Sequence, residues 1–322
     1  MRIHTVWFGI VVLAASFTAA AAQTFPSRPI TMIVPYAAGG PTDTIARIVG
    51  ERMARSLGQP VVIENLPGAA GTIAAAHVAR AIPDGYTLSI ATWSSYVVSP
   101  VIYQLPYDVL RDFDPVGWLT ETPLLLVAKK ALPADDAKAL IAFLKASPDP
   151  VLQGAAGGTD QVAAYLLGQQ TGAKIQTVNY RGLAPAMQDL VAGRIDLLFD
   201  QPSDALPQIR SGNIKVFAVT AKTRLGVAPD IPTVDEAGLP GLYITPWHSL
   251  WAPHGTPADV VATLNAAAMD ALADPAVQKR LADVGQQVVP RDQQTPGALA
   301  AYYKSETDKW WPIVKAAGIK AE

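Results

Sequence analysis

The sequence of 322 residues contains no cysteine, only four histidines and no run of basic residues. Without cysteine the chain forms no disulfide bonds, and a metal site would have to be built largely from carboxylates. The formal net charge of −2 lacks the basic excess of a nucleic-acid-binding protein. We therefore expect a chain that relies on its hydrophobic core and binds no nucleic acid.

Signatures of catalysis are also missing. No GxSxG motif surrounds Ser94 or Ser95, and no histidine has the HExxH spacing of a zinc protease. The glycine-rich turns of the chain lack both the Walker lysine and the GxGxxG fingerprint, which makes nucleotide binding a weak interpretation. We find no pair of nucleophile and base, so the sequence predicts no catalytic residue, no metal and no cofactor.

The first 22 residues have the pattern of a secretory signal peptide. Arg2 gives a positive start, residues 6–17 are apolar but too few for a stable membrane span, and Ala20-Ala21-Ala22 is a small-residue cleavage site. We predict that residues 1–22 are removed by cleavage after Ala22. The mature chain would then begin at Gln23.

Two blocks of alternating strand and helix patterns follow. The first contains ITMIVPY (Ile30–Tyr36), VVIE (Val61–Glu64) and YTLSIA (Tyr86–Ala91), which are apolar on both faces, as buried parallel strands are. The second runs from Val151 to Thr220 and contains the strand patterns VLQG, IQTVNY, IDLLF and KVFAVT. The last third is mostly helical. These patterns indicate an α/β fold with two lobes, each containing parallel βαβ units.

The two blocks share a glycine-rich turn between a strand and a helix. AAGGPTD (Ala37–Asp43) lies in the first block and AAGGTD (Ala155–Asp160) in the second. In such a turn the glycines allow close approach, and the unpaired N–H groups of the helix start can hold an anion. The threonine and aspartate of each turn could instead cap the helix, which a single turn would favour. Two matched turns, one in each lobe, favour a shared anion site.

The sequence also resembles the Bug family, the TctC-like periplasmic solute-binding receptors of tripartite tricarboxylate transporters. The resemblance covers nearly the whole mature chain and rests on ordered blocks rather than on one motif. These blocks are RPITMIVPYAAGGPTDTIAR, VVIENLPGAAGTIAAAHVARAIPDGYTL, LPYDVLRDFDPVG, VNYRGLAPAMQDLVAGRIDLLFD, FAVTAKTR, PDIPTVDEAGLPG and LWAPHGTPADVVATLN.

The resemblance implies a type II periplasmic binding protein fold, with two α/β lobes around a cleft and a hinge of two crossing segments. Residues 23–122 and 248–322 would form the first lobe, and residues 123–247 the second. The family holds a carboxylate in the cleft, largely through backbone groups and water. The positions that carry over to this role are Tyr36, Ala38, Gly39, Gly40, Thr42, Asp43, Gly157, Gly158, Thr159, Asp160, Tyr180, Arg181 and Asp200.

Three further positions bear on which ligand is bound. The segment TWSSY places Trp93 and Ser94 at the rim of the cleft, where Trp93 either stacks on a ligand or pads the edge of the lobe. Gln161 stands where many relatives have histidine, and the family motif HVPYKG is replaced by TVNYRG. We expect carboxylate binding to be unaffected by these changes, because backbone groups supply most of the contacts with the carboxylate. The family's recognition of other ligand substituents does not carry over to this chain.

The function that the resemblance implies is that of a monomeric periplasmic receptor. It would capture a small organic carboxylate and dock on the membrane subunits of a tripartite tricarboxylate transporter. Dicarboxylates, tricarboxylates, acidic amino acids, and nicotinate-like and aromatic acids all fit the pattern. An enzyme acting on a carboxylate in the cleft, or a receptor that serves only sensing, remain the alternatives.

Overall fold

The computed structural model describes residues 25–180 and 182–319. The predicted signal peptide, its cleavage point after Ala22 and the candidate residue Arg181 lie outside these residues.

The described chain alternates strands and helices in both halves. In chain order the strands are β1 (Ile30–Val34), β2 (Val61–Asn65), β3 (Thr87–Thr92), β4 (Phe113–Glu121), β5 (Leu125–Lys129), β6 (Val151–Ala155), β7 (Ile175–Asn179), β8 (Leu197–Asp200), β9 (Ile214–Val219), β10 (Trp247–Pro253) and β11 (Gln287–Val288). The helices are α1 (Pro41–Leu57), α2 (Thr72–Ala79), α3 (Ser99–Ile102), α4 (Val109–Asp112), α5 (Ala137–Ala146), α6 (Gly158–Thr171), α7 (Leu183–Val191), α8 (Pro202–Arg210), α9 (Ala258–Ala273), α10 (Pro275–Asp283) and α11 (Pro296–Ala316). A π-helical stretch, Ser94–Val98, follows β3 and is called the rim segment below.

The strands form two separate sheets, one in each lobe. The first sheet has six strands in the order β11-β4-β10-β3-β1-β2, and the second has five in the order β7-β6-β8-β5-β9. The predicted parallel pairing is confirmed for β1 with β2 and β3, and for β6 with β7 and β8. However, β10 pairs antiparallel with β3 and β4, and β5 pairs antiparallel with β8 and β9, so both sheets are mixed.

Not all the predicted strands are buried on both faces. Strand β1 is almost fully buried, whereas alternate residues of β2 are exposed. Both β2 and β7 are edge strands, and neither contains a buried residue. The VVIE segment is therefore a half-buried edge strand rather than a central one.

The chain crosses between the sheets twice. It leaves the first sheet after Glu121, enters the second at Leu125, and returns to the first sheet at Trp247. The C-terminal helices pack on the first sheet, with α9 against α1 and α11 against β4. The lobe limits 23–122 with 248–322, and 123–247, stay a prediction.

The core of the first lobe explains how α1 is held. Ile45, Val49 and Met53, spaced along one face of α1, are completely buried against the sheet and α9. The helix ends at Gly58, which has a left-handed φ of +68°. Among the described residues no single helix is both long and apolar enough to cross a membrane; α9 and α10 meet that test only as a pair bent by 73°.

Candidate functional site

The first turn, Tyr36–Asp43, connects β1 to α1 and is held by the side chain of Asp43. Oδ2 of Asp43 accepts hydrogen bonds from the backbone N–H of Gly39 and from Nε of Arg47, both at 2.9 Å. Oδ1 accepts a hydrogen bond from Nδ2 of Asn65 at 3.0 Å. Gly39 has φ of +84°, a left-handed conformation that favours glycine. Asp43 therefore organises the turn.

The charge of Asp43 also argues against direct contact between its side chain and an anion. Burial of Asp43 opposes its ionisation, but hydrogen bonds from Arg47, Gly39 and Asn65 outweigh burial and lower its pKa. The side chain stays negative near neutral pH and its oxygens are already bonded to the protein. Its role matches the capping alternative that the sequence left open.

The second turn, Ala155–Asp160, connects β6 to α6 and repeats this geometry. The N-cap of α6 is Gly157, and the third helical residue is again an aspartate. Oδ2 of Asp160 accepts a hydrogen bond from the backbone N–H of Ala156 at 2.7 Å. In both turns the aspartate thus reaches back to the residue before the N-cap.

The two turns differ at the first helical residue. When the two turns are aligned on their aspartates, Pro41 of α1 is equivalent to Gly158 of α6. The two AAGG sequences are therefore offset by one residue in this alignment. Gly158 is buried, and a Cβ atom there would overlap Cγ1 of Val98 in the rim segment. This position needs glycine because the first lobe packs directly on it.

The second turn packs against the rim segment of the first lobe, close to Tyr36 of the first turn. A Cβ atom built on Gly157 would lie 3.9 Å from Oγ of Ser94 in the first lobe. The hydroxyl of Tyr36 lies 3.0 Å from Oγ1 of Thr92. Burial raises the pKa of Tyr36 and the charge of Asp160 raises it further, while hydrogen bonds with Thr92 and Ser94 oppose these effects. Tyr36 therefore brings a neutral hydroxyl close to Asp160.

Backbone donors surround this junction. The first turn of an α-helix has N–H groups without an intrahelical acceptor, and in the described chain the N–H groups of Thr42 and Thr159 have no partner. Ala38 and Gly39 are exposed, which leaves the backbone of the first turn accessible. Together with the positive ends of two helix dipoles, these donors can hold an anion.

Two buried aspartates lie on the side of the second lobe. Asp200 ends β8, whose neighbour β6 leads into the second turn. Burial raises the pKa of Asp160 to about 7 against the effect of the hydrogen bond from Ala156. Burial raises the pKa of Asp200 as well, with further contributions from Asp204 and Asp160. Oδ1 of Asp200 accepts a hydrogen bond from the N–H of Gln201 at 2.7 Å, whereas Oδ2 has no partner in the described residues.

Trp93 lies in the core of the first lobe. It is 2 % exposed, and its Nε1 donates a hydrogen bond to Oε2 of Glu306 at 2.8 Å. Its ring meets that of Trp310 edge-on, with the centroids 5.1 Å apart. Of the two roles that the sequence left open for Trp93, this placement favours packing over contact with a ligand.

The end of β7 is also tied to the second lobe. The hydroxyl of Tyr180 donates a hydrogen bond to Oδ2 of Asp189 at 2.9 Å, so its side chain is already engaged. Its backbone N–H donates to the carbonyl oxygen of Ala155 at 2.8 Å, so neither the hydroxyl nor the N–H of Tyr180 is left to donate to a carboxylate. Gln161 and Asn179, which depart from the family pattern, are hydrogen-bonded to each other at 3.4 Å.

Sequence reasoning missed His248. Its Nε2 lies 3.2 Å from Oγ1 of Thr42, the second helical residue of α1, although the two residues are 206 positions apart. A single histidine on a strand has no characteristic spacing, so no motif could have revealed this contact. Residues 25–180 and 182–319 contain no cluster of three or more His, Asp and Glu residues that could hold a metal.

Residues 45–319 match the family model described as the tripartite tricarboxylate transporter family receptor, TctC. The chain belongs to this family. The resemblance to the Bug and TctC receptors that the sequence blocks indicated is therefore confirmed.

Solved structures of TctC-like receptors agree with this assignment. The periplasmic binding protein BugD is 37 % identical, with a TM-score of 0.82 over 92 % of this chain and 100 % of that one. MatC of Rhodopseudomonas palustris, solved with bound malate, is 40 % identical, with a TM-score of 0.81 over 90 % and 100 % of the two chains. Rpa4515 of R. palustris, solved with adipate, is 32 % identical, with a TM-score of 0.83 over 92 % and 99 %. These similarities confirm the type II periplasmic binding protein fold and make this chain a TctC-family solute-binding protein.

Proposed function

We propose that the protein is a periplasmic receptor that captures a small organic carboxylate between the two turns and delivers it to the membrane subunits of a tripartite tricarboxylate transporter. The observation that carries the proposal is that the start of α6 packs against the first lobe, with Asp160 close enough to Tyr36 of the first turn to raise its pKa. Each helix end stabilises an anion by about 0.3–1 kcal/mol when exposed and by up to about 2 kcal/mol when partly buried. Both ends act on one ligand only when the lobes close.

The two buried aspartates are compatible with an anionic ligand because burial raises the pKa of each. With a pKa of about 7, Asp160 is protonated in a large fraction of molecules at neutral pH and can then donate a hydrogen bond. The unpartnered Oδ2 of Asp200 would be satisfied by a donor on the ligand or on a bridging water. Ligands that combine a carboxylate with a hydroxyl, ammonium or second carboxyl group fit this arrangement.

The relatives support the same chemical class, since MatC was solved with malate and Rpa4515 with adipate. Both ligands are dicarboxylates, and one carries a hydroxyl group. Dicarboxylates of four to six carbons are therefore the first acids to test.

A thermal-shift screen of organic acids tests the proposal. An acid at 100 times its dissociation constant should stabilise the protein by roughly 2.7 kcal/mol, which shifts the melting temperature measurably. The corresponding amides should give no shift, because they lack the charge that the helix ends recognise. Recovery of the unchanged acid after incubation separates a receptor from an enzyme. No shift with any acid, or equal shifts with acid and amide, would contradict the proposal.

Gly40→Val provides a matched variant for the first turn. A Cβ atom at Gly40 meets only the carbonyl oxygen of Ala37, at 3.5 Å, and its φ of −80° suits any residue. The fold should tolerate this change, whereas the added side chain should obstruct a ligand at the turn. We expect an unchanged melting temperature without ligand and a loss of the shift that the acid produces.

A further inference from the structure

We propose that His248 is a positioning residue that directs the hydroxyl proton of Thr42 away from the ligand, so that Thr42 offers a hydrogen-bond acceptor to a donor group on the ligand. This inference rests on the proposed function, in which the first turn contacts a carboxylate. It adds a requirement on the ligand, namely a hydroxyl or ammonium group near that carboxylate.

His248 lies on one of the two middle strands of the first sheet. It is on β10, opposite Thr92 of β3 and Thr120 of β4, and it is 3 % exposed. Nε2 of the ring lies 3.2 Å from Oγ1 of Thr42, and Nδ1 lies 3.5 Å from Oγ1 of Thr120. The ring therefore connects the first turn to the strands through which the chain crosses between the lobes.

The partners on the Nδ1 side determine which nitrogen carries the proton. Thr120 has one hydroxyl proton, which it donates to Oε1 of Gln286 at 2.9 Å. With the Gln286 amide in this orientation, the Thr120 oxygen can only accept on the side of the ring, which places the proton on Nδ1 of His248; the opposite orientation would make Nε2 of Gln286, which has no partner in the described residues, the donor to Thr120 and would reverse the tautomer. A hydrogen bond with Gln286 favours the protonated ring, but burial has the larger effect and lowers the pKa of His248 to about 4. The ring is therefore neutral near pH 7, with one proton on Nδ1 and a lone pair on Nε2.

This arrangement fixes the hydroxyl of Thr42. The lone pair of Nε2 must accept a hydrogen bond from Thr42, because Nε2 has no proton to donate. The remaining lone pairs of the Thr42 oxygen can then only accept. At the same residue the backbone N–H is free to donate to a carboxylate. Thr42 thus matches a carboxylate that has a hydroxyl or ammonium group on a neighbouring carbon.

The tautomer of His248 can be measured without any ligand. In protein labelled with nitrogen-15 at histidine, the chemical shifts of the two ring nitrogens distinguish the Nδ1–H form from the Nε2–H form. We expect His248 to be in the Nδ1–H form, and to remain so as the pH is lowered from near 8 to near 5. The Nε2–H form would overturn the inference, because the Thr42 hydroxyl would then be free to donate.

Binding of L-malate and of oxaloacetate tests the consequence, since the hydroxyl of malate can donate a hydrogen bond whereas the keto group of oxaloacetate can only accept one. A net hydrogen bond corresponds to roughly a three- to tenfold difference in Kd, so malate should bind more tightly by about that factor. His248→Leu should bring the ratio of the two Kd values closer to one, since the Thr42 hydroxyl can then rotate and donate to the keto group. His248→Gln places a side-chain oxygen at a similar distance and should preserve most of the preference.

The ratio of Kd values separates positioning from packing. If His248 has only a structural role, His248→Leu should weaken the binding of both acids equally and leave the ratio of their Kd values unchanged. That result would overturn the inference. Equal Kd values for malate and oxaloacetate in the unmodified protein would overturn it as well. If neither acid binds, the ligand of the proposed function must be sought elsewhere, and the tautomer measurement still decides the state of His248.

Discussion

Because Gly158 packs directly against Val98, we expect a methyl group added at position 158 to hinder closure of the lobes. In Gly158→Ala the new Cβ atom would overlap Cγ1 of Val98 and lie 3.2 Å from its Cβ. Val98 is fully buried in the first lobe, whereas Gly158 begins α6 of the second. The clash therefore exists only when the lobes are packed together as they are in this structure.

The size of the effect follows from the cost of overpacking. An extra methyl group in a well-packed interface costs about 1–3 kcal/mol. If the closed form bears the whole of this cost, ligand affinity should fall by roughly 5- to 150-fold. The free energy of unfolding without ligand should change little, because the lobes can separate slightly and relieve the clash.

Isothermal titration calorimetry with the strongest acid from the screen measures the loss of affinity, and small-angle scattering measures how far the lobes close. Gly226→Ala is the matched control in the second lobe, since its Cβ atom would meet nothing within 4 Å and the residue lies outside the two turns. The double variant Gly158→Ala/Val98→Ala removes the clashing methyl groups and should recover part of the lost affinity. Unchanged affinity in Gly158→Ala, or no recovery in the double variant, would refute the role assigned to this contact.

Two further predictions concern single side chains. Burial raises the pKa of Asp160 from 3.8 to about 7, so its contribution to stability is full below the unfolded pKa and is lost as the pH rises through 7. Asp160→Asn should therefore raise the melting temperature near pH 8 but not near pH 4, and equal differences at the two pH values would be inconsistent with this explanation. Trp93→Phe removes the hydrogen bond to the buried carboxyl group of Glu306 and should cost about 1–3 kcal/mol of stability. The affinity of this variant for the ligand should be unchanged. A loss of affinity without a loss of stability would indicate instead that Trp93 contacts the ligand.

The local structure of the two turns was accessible from the sequence. A strand followed by glycines and Thr-Asp indicates the start of a helix, because aspartate in the first turn can bond to free backbone N–H groups. The helical spacing of Ile45, Val49 and Met53 in the sequence likewise indicates the side of α1 that packs on the sheet. These features depend on residues close together in the chain.

Three interior strands of the sheets were not predicted. Strands β4, β5 and β10 pair antiparallel with partners that are distant in sequence, and no βαβ pattern marks them. His248 shows the consequence, because its partner Thr120 on β4 lies 128 positions earlier in the chain. Trp93 is a similar case: its place after β3 suggested the cleft, but its direction is set by Glu306, 213 positions later.

The two turns also show why the ligand cannot be deduced from the motif alone. Asp43 and Asp160 have the same position and the same local hydrogen bond, yet two further donors and a lowered pKa keep Asp43 ionised, while burial raises the pKa of Asp160. The difference comes from Arg47 and Asn65, which bond to Asp43 and have no counterpart among the hydrogen bonds found for Asp160 in the described chain. Backbone donors thus provide a general affinity for carboxylates, because any residue has an N–H group. Selection among carboxylates must then come from the few side chains whose protonation the surrounding structure sets, and these are where substitutions should alter the choice of ligand.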